Sequence, residues 1–197
     1  MINAFQLYFG LGKDHILDYA NGYDHLLFII ALCAVYLFRD WKKVLVLVTA
    51  FTIGHSITLA LATLRLITVK DEWIEFLIPV TILVTALTNL FKLKEDRVNS
   101  RPFPINYFYA LGFGLIHGMG FSNYLRAILG ESHSLAMPLF AFNVGLEVGQ
   151  IVVVLIFLLI AFFVVELFGV SRRDWKMVIS SAVGGIAFVL MKENVFW

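Results

Sequence analysis

Apolar residues along this chain gather into six long runs. Each run approaches or exceeds the roughly 20 residues that a helix needs to cross the hydrocarbon core of a bilayer. The runs cover residues 24–38, 44–66, 74–92, 105–129, 137–168 and 177–195. The pattern predicts an all-α integral membrane protein, with a six-helix transmembrane bundle that forms one domain over residues 1–197.

The segment before the first run has a different pattern. In residues 2–20, apolar positions alternate irregularly with polar ones, which is typical of an amphipathic or re-entrant helix that cannot span by itself. We see no long-period repeat in the chain, and no inverted repeat of the kind found in many transporters.

Composition supports a membrane location. Hydrophobic residues make up 60% of the chain and charged residues 15%, at a mean hydropathy of +0.87, which is too apolar for a soluble domain. A single cysteine, Cys33, excludes a disulfide framework and a Cys-rich metal site. No block of basic residues with interleaved aromatics suggests binding to nucleic acid.

Basic residues are distributed unevenly between the connecting segments. Residues 39–43, 92–101 and 171–176 contain ten of the fifteen Lys and Arg residues, so the positive-inside rule predicts that these three segments are cytoplasmic. We therefore expect a multi-pass protein of the inner (cytoplasmic) membrane with both termini outside. The outer segments are net acidic and would raise the local concentration of cations.

Several polar side chains occur inside the predicted spans, where they are costly unless they face a cavity or a partner. His55 and His117 lie deep within the second and fourth runs. Asn143, Glu147 and Gln150 follow i, i+4 and i+7 spacing, so they share one face of the fifth.

Another polar group enters from the outer side. Asp24 and His25 begin the first run, His15 precedes them and Glu75 stands near the start of the third run. Imidazoles and carboxylates at matched depth suit a borderline divalent ion such as Ni²⁺ or Zn²⁺. We predict that the metal ligands are His15, Asp24, His25, His55, His117 and Glu147, supported by Asn143, Gln150 and Glu75.

Each of these residues also has a purely structural interpretation. A membrane histidine commonly makes a hydrogen bond between helices, Asp24 can act as an N-cap, and Glu75 can be a first-turn acid favoured by the helix dipole. Asn143 and Gln150 can hold helices together. Because only neutral imidazoles bind metal, occupancy of the predicted site should fall in acid.

The polar stretches resemble those of the HupE/UreJ family of small membrane proteins, which are named from hydrogenase and urease accessory loci and usually described as nickel permeases. The similar stretches are HILDYANGYDHLLF (15–28), TAFTIGHSITL (49–59), FGLIHGMGF (113–121) and FNVGLEVGQ (142–150). The resemblance implies functional positions at His15, Asp24, His25, His55, His117 and Glu147, with Ser56, Asn143 and Gln150 adjacent.

Three hypotheses remain open at this stage. The first is a transporter that binds a divalent metal in the outer half of the bundle. The second is a zinc-dependent intramembrane hydrolase, in which Asp24 or Glu147 is the general base and Ser56 orients water or substrate. The third is a membrane scaffold without metal. The expected partners are the metal ion and the lipid bilayer, and an oligomer is possible.

Overall fold

The computed structural model describes residues 3–18, 23–91, 105–129 and 135–197, and all regular structure in these ranges is helical. A 3₁₀ turn, Phe38–Asp40, leads into α3, and a π-helical segment, Phe162–Leu167, extends α7. The α-helices are α1 (Ala4–Leu17), α2 (Tyr23–Cys33), α3 (Trp41–Thr63), α4 (Asp71–Phe91), α5 (Ile105–Gly120), α6 (Ser122–Leu129), α7 (Ala136–Ala161) and α8 (Arg172–Glu193).

Four helices are long and apolar enough to cross a membrane. They are Phe38–Thr63, Asp71–Phe91, Ala136–Leu167 and Arg172–Glu193, with 26, 21, 32 and 22 residues. They correspond to the predicted spans 44–66, 74–92, 137–168 and 177–195. Large apolar side chains on α7 and α8 are exposed, among them Ile156 at 55% and Val178 at 65%, as lipid contact requires. The chain is a multi-pass membrane protein.

The other two predicted spans are not single long helices. In place of the span 24–38, α2 has 11 residues, about 16 Å at 1.5 Å per residue and roughly half of the ~30 Å core. The span 105–129 is interrupted at Phe121, which separates α5 with 16 residues from α6 with 8. Apolar runs do not reveal such breaks, because the residues at a break can be as apolar as those of a helix. The six-helix bundle stays a prediction.

Glycines bring two pairs of helices into close contact. A Cβ atom added at Gly12 would overlap the Phe142 carbonyl oxygen, and one at Gly145 would overlap that of Phe9. Gly149 faces the Lys13 carbonyl, one turn after the contact of Gly145 with Phe9 on both helices, so α1 runs parallel to α7. The predicted amphipathic segment is thus a helix packed against a membrane-spanning helix, where small residues permit close backbone approach.

The second pair, α3 and α5, is built in the same way. A Cβ atom at Gly54 would overlap the Leu111 carbonyl oxygen, and one at Gly114 would overlap that of Phe51. Gly118 in turn faces the His55 carbonyl, one turn further along both helices. This pair is therefore also parallel.

Aromatic contacts define the two ends of the bundle. The Phe38 and Phe162 rings are 6.3 Å apart, so α3 begins where α7 ends and the two helices are antiparallel. At the opposite end, Trp73 of α4 packs 4.8 Å from Phe196, beyond the end of α8. We call this second end, where α4 begins with Asp71 and Glu72, the acidic end; α3 and α8 begin at the basic end. The predicted cytoplasmic segment 92–101 lies outside the described residues.

Candidate metal centre

Four of the predicted histidines come together although they belong to four helices. The ring of His25 lies 4.6 Å from that of His15, 5.1 Å from His117 and 5.7 Å from His55, measured between centroids. The rings of His15 and His55 are 6.3 Å apart. We call these four residues the histidine cluster, and His25, at the start of α2, is its centre. The fifth histidine, His133, lies outside the described residues.

Asp24 holds the ring of His25. The His25 Nδ1 atom is 2.9 Å from Asp24 Oδ1, which also accepts the His25 backbone N–H at 2.7 Å. Because a carboxylate only accepts, Nδ1 donates, and in the neutral ring the lone pair is on Nε2. That Nε2 atom is buried and has no hydrogen-bond partner among the described residues. The arrangement matches the carboxylate–histidine pairs that orient metal ligands.

The ring of His117 is oriented by its own helix. Its Nδ1 donates to the Phe113 carbonyl at 2.8 Å, one turn earlier on α5. Its Nε2 is buried and lacks a partner in the described part of the chain, as does Nε2 of His15. Three imidazoles therefore present a buried, unpaired Nε2 atom.

His55 is the most buried member of the histidine cluster. It is 0% exposed, and both ring nitrogens lack a hydrogen-bond partner within the described ranges. A buried polar group left in this state costs about 1–3 kcal/mol. Such groups are rare in folded proteins, where they accompany a bound water, a bound ion or a functional role of the site.

A cavity of about 380 Å³ lies beside the histidine cluster. His15, His25 and His117 line it, whereas His55 is not one of its lining residues. Three carboxylates also line it, and no Lys or Arg does so in the described part of the chain. They are Asp24, Asp71 and Glu75. The cavity is therefore acidic, and it extends from the histidines to the first turn of α4 at the acidic end.

Two residues that line the cavity, Asp71 and Asn123, were not among the site residues predicted from the sequence. Asn123 of α6 donates to both carboxylate oxygens of Asp71 at 2.8 Å, which links α6 to the start of α4. Arg126 donates to Asn123 and to the Ala62 carbonyl, the latter at 3.1 Å. Asp71 had only the signal of a first-turn acid, and Asn123 stood in a segment that we expected to continue a span.

Three phenylalanines close the other side of the histidine cluster. Phe28, Phe51 and Phe113 each lie one turn from a histidine of the same helix, toward the basic end. The Phe28 ring stacks on Phe51 at 4.9 Å and meets Phe113 at 5.7 Å. We call these three residues the aromatic floor. Phe28 and Phe51 also contact the ring of His117, at 5.4 and 5.1 Å, so the aromatic floor packs against the histidine cluster.

Glu147, which we predicted as a metal ligand, is hydrogen-bonded to α3 in the structure. Its Oε1 accepts from Thr49 at 2.7 Å, six residues before His55 on α3, and Glu147 does not line the cavity. Gln150 likewise accepts from Thr52 at 2.8 Å. The polar stripe predicted on α7 therefore faces a stripe of hydroxyls on α3.

Two further residues singled out from the sequence, Asn143 and Ser56, form hydrogen bonds within their own helices. Asn143 donates to the Leu139 carbonyl at 2.8 Å, and the Ser56 hydroxyl donates to the Thr52 carbonyl at 2.6 Å, each within its own helix. Glu75 does line the cavity.

The donor atoms do not form a closed coordination site in this conformation. Within residues 3–18, 23–91, 105–129 and 135–197, no three His, Cys, Asp or Glu side chains are arranged to hold a metal ion as they stand. The ring spacings bring the imidazoles near one another, but the rings meet largely edge to face, at interplanar angles of 67° to 70° around His25.

Comparison with known proteins identifies a family. No curated protein and no solved structure matches the chain. The family model described as HupE / UreJ protein matches residues 1–194, nearly the whole chain and all the helices described above. The chain therefore belongs to the HupE/UreJ family.

Proposed function

We propose that this protein transports a divalent metal ion across the membrane and binds it at the histidine cluster. The observation that carries the proposal is that the Nε2 atoms of His15, His25 and His117 are buried and have no hydrogen-bond partner among the described residues. At His25 and His117 the other ring nitrogen is already held, so these side chains are oriented as ligands are in metal sites. His55 completes the donor set.

The spacing of the rings suits a single ion. Nitrogen ligands about 2.0–2.1 Å from the metal, at tetrahedral angles, place neighbouring ring centroids roughly 5 Å apart. The His25 ring has its neighbours at 4.6, 5.1 and 5.7 Å. Rotation of the imidazoles about their side-chain torsions would turn the Nε2 atoms toward a common centre. Asp24, through His25, offsets part of the charge of the ion.

The cavity offers a route to this centre. A divalent ion with about six waters occupies roughly 180 Å³, at ~30 Å³ per water, and the cavity provides about 380 Å³. Asp71 and Glu75 attract the cation at the mouth, and Asp24 attracts it further in. The ion then exchanges water for imidazole as it reaches the histidines.

The orientation in the membrane follows from charge. The basic end contains Lys42, Lys43, Arg172 and Arg173, and the positive-inside rule makes it cytoplasmic. The cavity then opens to the outside of the inner membrane, and both termini lie outside. On this arrangement α1 and α2 enter the bilayer as the halves of a broken helix, and α5 and α6 do the same.

The metal is a borderline ion, Ni²⁺ or Zn²⁺, because imidazole nitrogen with a nearby carboxylate suits both. The family's description as nickel permeases favours Ni²⁺. The imidazoles must be neutral to bind, so protons compete with the metal and binding weakens as the pH falls.

The intramembrane hydrolase is the weaker alternative. Ser56 donates to a backbone carbonyl, Glu147 is bonded to Thr49, and neither lines the cavity. Asp24 remains as a candidate base, but its Oδ1 is occupied twice by His25. A scaffold without metal does not account for the imidazole nitrogens of the histidine cluster that are buried without a partner among the described residues.

The test combines binding and transport. Purified wild-type protein is loaded with Ni²⁺ or Zn²⁺, its metal content is measured by elemental analysis, and uptake is measured in proteoliposomes. The His55→Ala, His117→Ala double variant should lose both binding and uptake, whereas His133→Ala should retain both. One tightly bound zinc per chain without uptake would favour the hydrolase, and no metal under any loading would favour the scaffold.

A further inference from the structure

We propose that the chain is an inverted duplication of one four-helix unit, α1–α4 and α5–α8, and that the metal leaves the histidine cluster toward the basic end past Trp175 and Ser180 of α8. The inference rests on the proposed function for the identity of the cargo. The duplication itself is argued from packing and sequence, and it contradicts our expectation that the chain has no repeat.

The two glycine-paired helix pairs are equivalent. In each pair, one glycine on either helix approaches the backbone of the other: Gly12 with Gly145, and Gly54 with Gly114. Both pairs are parallel. This matches α1 to α5 and α7 to α3, so a rotation that exchanges the two units maps one pair onto the other.

Three of the four helices run in opposite directions in the two units. Because α3 is antiparallel to α7, and each pairs in parallel with α5 or α1, α5 runs opposite to α1. The last helices of the two units, α4 and α8, pack against each other, with a Cβ atom at Gly184 placed 3.4 Å from that of Ala86. They are antiparallel, since Trp73 near the start of α4 meets Phe196 after α8. The units are therefore related by a pseudo-twofold axis in the plane of the membrane, as in many transporters.

The sequence contains the same correspondence in equivalent helices. Gly-x-Gly-x-x-His occurs at residues 10–15 and again at 112–117. Phe-polar-Ile/Val-Gly occurs at 51–54 and 142–145, and an acid followed by Trp occurs at 72–73 and 174–175. These short matches follow the order of the helices in both units. They are separated by connections of unequal length, so a fixed period does not reveal them.

The histidine cluster occupies the axis of this duplication. His15 and His117 are the equivalent histidines, and each lies near the end of a helix, α1 or α5, that stops inside the bundle. Each is followed by a short second helix, α2 or α6. Substrate sites at the meeting point of two broken helices are typical of inverted-repeat transporters.

The lining of the cavity includes Asp71 and Glu75 near the start of α4, at the acidic end, so the equivalent residues of α8 at the basic end are informative. On α4, Ile78 lines the cavity, five residues after Trp73. Ser180 of α8 stands five residues after Trp175 and is its equivalent. Trp73 is 47% exposed at the acidic end, whereas Trp175 is 8% exposed and Ser180 is 0% exposed.

Two buried polar groups indicate that α8 lines the release path, which is closed in this conformation, as α4 lines the cavity. The Trp175 indole N–H and the Ser180 hydroxyl are buried and without a hydrogen-bond partner among the described residues. Groups of this kind are costly if they stay dry. When the two units exchange conformations, the aromatic floor separates, the cavity closes at the acidic end, and these two groups face water along the release path.

Thiol labelling of full-length protein in proteoliposomes tests this inference. Ile78→Cys, Ser180→Cys and, as a matched control one turn along the same helix, Val183→Cys are treated with a membrane-impermeant maleimide from each face, with and without Ni²⁺. The single native cysteine, Cys33, is 0% exposed, so wild type is the blank. Thermal unfolding in detergent checks that each variant is folded, and Ni²⁺ binding is measured in parallel.

We expect Ile78→Cys to react only from the acidic end and Ser180→Cys only from the basic end, with Val183→Cys unreactive. Saturating Ni²⁺ should change the two rates in opposite directions, by about threefold or more. Failure of folded Ser180→Cys to react from the basic end in any condition, while Ni²⁺ still binds, would overturn this inference and leave the metal site intact. Reaction of Ser180→Cys from the basic end in a protein that binds no metal would overturn the proposed function and retain the duplication.

Discussion

The Nδ1 atom of His25 lies 2.9 Å from Asp24 Oδ1, and this contact determines which ring nitrogen remains free. Because Nδ1 donates its proton in a hydrogen bond to the carboxylate, the lone pair of the neutral ring is on Nε2, which is buried without a partner among the described residues. The acid thus orients the ring of the histidine that follows it in the sequence. The candidate site consists of this pair and the three other histidines around it.

Asp24→Asn should lower the affinity for Ni²⁺ or Zn²⁺ by roughly 10–100-fold, the usual effect of losing a partner that orients a metal-binding histidine. The change removes the negative charge and allows the ring to bond in the wrong tautomer. Titration calorimetry in detergent measures the affinity. Asp40→Asn is the control, since Asp40 bonds to Lys43 at 2.9 Å at the basic end. Equal losses in both variants would contradict the role given to Asp24.

Glu147→Gln should retain the metal affinity of the wild type within about threefold. An amide oxygen can still accept the hydrogen bond of Thr49, and Glu147 does not line the cavity beside the histidine cluster. The same titration decides the matter. A loss comparable to that of Asp24→Asn would return Glu147 to the ligand set predicted from the sequence.

His55→Leu should abolish high-affinity metal binding and yet stabilise the metal-free protein, by about 1–3 kcal/mol. The reason is that both ring nitrogens of His55 are buried without a partner in the part of the chain that the structure describes, whereas leucine has a similar size and no polar atom to desolvate. Thermal unfolding of metal-free protein in detergent provides the measurement. A lower midpoint for the variant would show that the nitrogens of His55 are satisfied without metal.

Gly114→Ala should destabilise the protein by about 1–3 kcal/mol, as overpacking does, because the new methyl group meets the Phe51 carbonyl of α3. Gly112→Ala, two residues earlier on α5, is the matched control. Nothing lies within 4 Å of its added Cβ, so the better helix propensity of alanine should stabilise it by up to ~1 kcal/mol. Opposite signs in thermal unfolding are expected. Equal destabilisation would contradict the close pairing of α3 and α5.

The structure brings four of the predicted ligands near one another, and the residues show why the sequence pointed to them. His15, His25, His55 and His117 stood out because a polar group in an apolar run is costly wherever the helices later pack. Glu147 stood out for the same reason, but which neighbour it meets depends on how α7 is rotated against α3. Nothing in the sequence marked Asn123 as a site residue. It lies at the cavity only because the helix is interrupted at Phe121, between α5 and α6.

The sequence by itself determined that the chain is helical and membrane-embedded and that a small set of histidines and acids must have partners, since both follow from the local cost of placing polar groups in hydrocarbon. Only the tertiary structure decided where two apolar runs break, which helices pair in parallel, and which acids reach the histidines. Those outcomes depend on which helix faces meet. The closest helix contacts occur at glycines, where the missing side chain lets two backbones approach: Gly12, Gly54, Gly114 and Gly145. Such a contact can be recognised only when both helices are in place.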